Sequence, residues 1–82
     1  MHKIESQYLS VCNRNGTQLT PTKFKDLSEA IQWFQLYALS HRDLHLEKSI
    51  VVRTIETHWV DEEYNFQSYD LQKTVVYRFD EV

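Results

Sequence analysis

The sequence predicts an α+β fold: an antiparallel sheet of four to five strands in the order β-β-α-β-β, with an optional fifth strand, and one helix packed on one face. Three observations predict it. Only one segment, Asp26–Ser40, carries an apolar period of 3.6 residues. Runs rich in β-branched and aromatic residues lie on both sides of it, the clearest being Ser49–Val60. Asn15-Gly16 adds the strongest short hairpin signal, because both residues tolerate positive φ. A chain of 82 residues fits a single domain, 1–82, with a small core.

The first strand is expected over residues 4–13. Leu9 and Val11 fall on one face and Tyr8 and Cys12 on the other. After the Asn15-Gly16 turn, Thr17–Thr20 is expected to form a second strand that stops near Pro21, which cannot donate to a ladder. Phe24 anchors the connection to the helix. Asp26 is the expected N-cap, and Glu29 three residues on completes a capping-box pattern. At 100° per residue, Leu27, Ala30, Ile31, Phe34, Tyr37 and Ala38 share the core-facing stripe. Ser28, Glu29, Gln32 and Gln35 share the outer side. The helix should fade between Ser40 and Asp43. Ser49–Val60 is the clearest strand, and Asp61-Glu62-Glu63 turns it into Tyr64–Tyr69. A second turn at Asp70–Lys73 would make Thr74–Phe79 a separate strand of a meander. The competing reading is one long hairpin bent at Asp70–Lys73. With a single helix, one sheet face is left to water or to a second copy of the chain.

Composition excludes several classes. Net charge is −3, and it is uneven: residues 1–53 hold seven Lys/Arg against five Asp/Glu, while residues 54–82 hold two against seven. A general nucleic-acid binder would show a basic excess. No run of about 18 apolar residues is present, and the N-terminal MHKIESQYLS has no signal-peptide core, so the expectation is a cytoplasmic protein without membrane contact. Cys12 is the only cysteine, which precludes an internal disulfide and fits a reducing compartment.

Chemistry-bearing patterns are sparse. His41 and His45 would share a helix face if the helix ran on, but no third metal ligand lies nearby. Glu56 and His58 share a strand face, yet acid–base work needs a concave, partly dry site that one hairpin does not provide. Cys12 lacks a local base and reads as a small buried residue. The sequence therefore predicts no enzyme, no catalytic residue, no metal and no cofactor.

Two patterns point instead to a protein partner. Leu36 and Leu39 fall among the polar residues of the helix, and Trp33 lies on its flank. Trp is enriched where proteins bind. The second pattern is the acidic C-terminal half, with Glu56, Asp61, Glu62, Glu63 and Asp70 available to face a basic groove on another protein. The expected function is a small non-enzymatic protein-binding module acting as regulator, inhibitor or accessory subunit, with a homodimer among its states. A phage or mobile-element factor that blocks a host nucleic-acid enzyme, of the anti-restriction or anti-CRISPR type, has this size and charge. The alternative is a nucleic-acid-binding module using the basic N-terminal half: Lys3, Arg14, Lys23, Lys25 and Arg53, with Tyr8 or Phe24 to stack a base.

Overall fold

The β-branched run Ile50–Val60 becomes the central strand of a three-stranded antiparallel sheet. In chain order the elements are β1 (His2–Cys12), α1 (Leu27–Ser40), β2 (Ile50–Val60) and β3 (Phe66–Arg78), and the strands lie side by side as β1-β2-β3. The computed structural model describes residues 2–44 and 46–79.

The expected β-β-α-β-β sheet of four to five strands is corrected to these three, with the helix between β1 and β2. Two local decisions account for the difference. The Asn15-Gly16 turn does form. Gly16 sits at φ 84°, and the Asn13 side-chain carbonyl accepts the backbone N–H groups of Asn15 and Thr17. The chain then leaves the ladder after a single bridge, Cys12 to Gln18, and touches β1 again only at Leu9–Phe24. Pro21 lies between these two bridges, and without an N–H it cannot continue the pairing. At the other end, Asp70–Lys73 is no turn. Its four residues pair with Thr54–Thr57 of β2, so 66–78 is one strand rather than two strands of a meander. The segment holds no Gly, Pro or Asn to break an extended chain. Its irregularities lie elsewhere, at the register shifts opposite Val51/Val52 and Trp59/Val60.

The helix starts and stops where its sequence says. Asp26 occupies the N-cap position with extended backbone, but its side chain makes no capping hydrogen bond. Ala30 and Phe34 are buried, Leu27, Ile31, Tyr37 and Ala38 are half-buried, and Ser28, Glu29, Gln32 and Gln35 are exposed. The core is Leu9, Val11, Phe24, Ala30, Phe34 and Val51. It lies at one end of the sheet. The first six residues of β1 are exposed and its last four are buried. Beyond the helix, the three strands run on as a bare arm. The molecule measures 50 × 21 × 20 Å. Its radius of gyration of 15.6 Å exceeds the roughly 12 Å of a compact chain this long.

Pairing register sorts the side chains. On the helix side lie Leu9, Val11 and Val51 near the core, then Arg53, Thr57, Trp59 and Asp70 along the arm. On the opposite, open face lie Ile4, Tyr8, Val52, Thr54, Glu56, His58, Leu71 and Val75. At the tip, Asp61 closes the β2–β3 turn. Its carboxylate accepts the N–H groups of Glu63 and Asn65, both at 2.9 Å, and the side-chain amides of Asn65 and Gln67. Among the described residues no helix is long and apolar enough to cross a membrane.

Candidate protein-binding surfaces

The helix residues expected to bind a partner divide. Trp33 is half-buried: it packs against the core and stacks on Tyr37 with ring centroids 4.8 Å apart. Leu36 and Leu39 stay outside, 61% and 62% exposed. Leu39 rims an open hollow of about 460 Å³ whose floor includes Phe34, Ala38, Tyr77 and Phe79. One apolar ridge and one apolar hollow thus adjoin at the end of the molecule that carries the core.

The acidic residues lie along the arm and do not share a face. Asp61 is committed to its own turn, and the backbone N–H of Asn65 leads the bonds that hold its carboxyl below the usual range. Glu62 and Glu63 are exposed at the tip. Asp70, opposite Thr57, is on the helix side. Glu56 is on the open face, where the Tyr8 hydroxyl donates to Oε1 at 3.0 Å. Partial burial, together with this bond, raises the Tyr8 pKa above its ordinary value.

The sequence leaves one sheet face to water or to a second copy, but it does not identify the apolar residues that this face carries. Ile4, Phe66, Tyr69, Leu71 and Val75 all lie on it, and all are large apolar residues left exposed. His58 sits among them, its ring 4.8 Å from that of Tyr69 and 6.4 Å from that of Phe66. The signal was present in the period-2 alternation of Tyr69, Leu71, Lys73 and Val75 with Asp70, Gln72 and Thr74. Placing a turn at Asp70–Lys73 hides it. Nearer the core, the same face dips into a hollow of about 200 Å³ lined by Tyr8, Ser10, Cys12, Val52, Thr54 and Lys73, among others.

The remaining chemistry-bearing residues are placed as follows. Cys12 is buried, and burial raises its thiol pKa, with Lys73 acting weakly in the opposite sense. His41 ends the helix with Nδ1 2.9 Å from the Tyr37 carbonyl oxygen. Its expected partner His45 lies outside the described residues. Among the described residues no three His, Cys, Asp or Glu side chains converge as a metal site would require. The basic residues are scattered. Lys3 pairs with Glu5 at 3.3 Å and lies over the Trp59 ring, and Lys23 lies over the Tyr8 ring. Lys25 and Arg53 flank a small notch beside Gln7 and Leu9. No family model, curated protein or solved structure matches this chain.

Proposed function

We propose that this chain is a non-enzymatic protein-binding module, a regulator, inhibitor or accessory subunit that docks a different protein on its helix end. One observation carries the reading: Leu36 and Leu39 stand exposed on a helix whose inner face is already anchored, and Leu39, with Gln35, rims a largely apolar hollow. Isolated exposed leucines are ordinary. Two at i and i+3, the second of them bordering a hollow floored by Phe34 and Phe79, make a surface that a partner's apolar side chain can fill. The more specific form, an inhibitor of a nucleic-acid enzyme with a basic groove, draws support from the exposed carboxylates of Glu62 and Glu63 at the arm's tip. These would set orientation and on-rate more than affinity.

The test is affinity capture from the cells that make the protein, with wild type beside the Leu36→Glu/Leu39→Glu double variant. Far-UV circular dichroism checks that both fold. A partner retained by wild type and lost by the variant is expected, and titration of the purified partner then measures the loss directly. Capture unchanged by the double variant refutes the helix end as the docking surface. Saturable binding of an oligonucleotide that weakens with salt by several log units per log unit would move the function to Lys23, Lys25 and Arg53.

A further inference from the structure

We infer that the open sheet face is closed by a second copy of this chain, packed face to face with its strands reversed, as a β-sandwich dimer. The occupant follows first from area. The chain exposes 6078 Å². A folded monomer of 9.9 kDa is expected to expose about 5,200 Å². The surplus, about 900 Å², is close to the roughly 800 Å² that each partner buries in an interface of standard size. The molecule is elongated, and its arm carries the exposed apolar side chains Ile4, Phe66, Tyr69 and Leu71 on its open face. Two sheets stacked on such faces are a common way to complete a core.

Shape and charge then favour a copy of this chain over an unrelated sheet. An isologous contact must be self-complementary. The open face has protruding side chains on the arm (Ile4, Phe66, Tyr69, Leu71) and a hollow toward the core. A two-fold axis lying between the sheets, across the strands at Ile55, the midpoint of β2, gives the greatest overlap. It carries the arm of each copy over the hollow of the other. The same axis brings Glu56 over Thr54 of the second copy. Register sets Thr54 beside Lys73. Glu56 and Lys73 therefore meet twice across the interface, once in each direction, and the principal acidic and basic side chains of this face are paired. Edge pairing through β3 would leave the apolar face bare and make neither contact.

Sedimentation equilibrium decides the matter. Wild type is expected to dimerise with Kd in roughly the micromolar range, given an interface near standard size. Leu71→Lys, which adds a cation on the open face, raises Kd by at least about tenfold. Gln72→Lys, one residue on and facing the helix side, leaves Kd within about threefold, because a side chain outside the contact adds little. Glu56→Lys and Lys73→Glu each weaken the dimer, and the two together restore Kd to within about threefold of wild type, since reversing both charges recreates both pairs. Circular dichroism on every variant confirms that the fold is kept. A wild-type monomer at about 100 μM overturns the dimer, being far above the expected Kd. So does a dimer indifferent to Leu71→Lys, or a double charge reversal that fails to recover. The two proposals separate cleanly: a monomer that still captures a foreign protein through Leu36 and Leu39 overturns the dimer alone.

Discussion

Phe34→Ala should remove most of the stability of this protein. Phe34 is 8% exposed and stacks on Phe79 with ring centroids 3.8 Å apart and planes tilted by 21°. It joins the helix to the sheet as part of the cluster that holds Val11 of β1 and Val51 of β2. Losing the buried ring forfeits about 1.5–3 kcal/mol of transfer free energy. The lost ring pair adds about 0.5–1.5 kcal/mol. The cavity left behind brings the total to the 3–5 kcal/mol typical of Phe→Ala. A single core in a chain this small supplies only about 3–5 kcal/mol in net terms. The variant is therefore expected to be largely unfolded at 25 °C. Phe34→Leu, which keeps most of the apolar volume, should lose about 1 kcal/mol, the share of the ring pair. Leu36→Ala, two residues along and exposed, should stay within about 0.5 kcal/mol of wild type. Urea titrations followed by far-UV circular dichroism and by tryptophan fluorescence measure all three. They are repeated at several protein concentrations, because a dimer adds stability by mass action. A Phe34→Ala protein that loses less than about 1 kcal/mol would show that the core does not sit where Phe34 and Phe79 place it.

Lys48 holds a left-handed backbone at φ 67°, which costs an L-residue about 1–2 kcal/mol. Lys48→Gly gives back about 0.5–1 kcal/mol of that through unfolded-state entropy, so the urea midpoint should rise slightly, and a clear fall refutes the assignment. At the tip, Asp61→Ala should speed amide hydrogen exchange at Glu63 and Asn65 while leaving Val11 unchanged. Equal protection in variant and wild type would mean that the carboxylate does not order the turn. The folded pKa of Asp61 lies below its unfolded value, near 3.9 for a free Asp. Its contribution is thus present above about pH 4 and lost as pH falls through the lower, folded value. Acid titration of the same amides should show protection failing on that side only. Cys12 is buried with a raised pKa, so a disulfide reagent at pH 7–8 should modify it at least about tenfold slower in buffer than in denaturing urea, where the thiolate is both commoner and reachable. Equal rates would place the thiol at the surface.

The candidate surfaces were legible in part. Periodicity put Leu36 and Leu39 among the outward residues of the helix, and they are outward. It left Trp33 on the flank, where Phe24 and Tyr37 of the same molecule take up its ring. Charge counting gathered Glu56, Asp61, Glu62, Glu63 and Asp70 into one acidic half. Pairing register then distributes them over two faces and a turn. Composition has no face, so a count cannot see this. The uncovered sheet face was expected, but its apolar residues went unidentified for a related reason. Ile4 and Leu71 are 67 positions apart in sequence, and only their pairing with β2, at His58 and Glu56, puts them on one face.

Local chemistry therefore determined the helix and its ends, the Asn15-Gly16 and Asp61–Glu63 turns, and the strand character of 2–12 and 50–60. Each of these depends on residues within a few positions of one another. Tertiary structure decided how many strands there are and which face is bare. An extended segment counts as a strand only if another strand of matching length takes its hydrogen bonds. β2 had room for all of 66–78 on one side, while Thr17–Thr20, lying along the free edge of β1, keeps only the Cys12–Gln18 bridge before Pro21 ends the pairing. Once the helix had settled on the Val11–Val51 side, the opposite face was left open along the arm, where Ile4, Phe66, Tyr69 and Leu71 are exposed, and no residue of the arm could by itself have specified that.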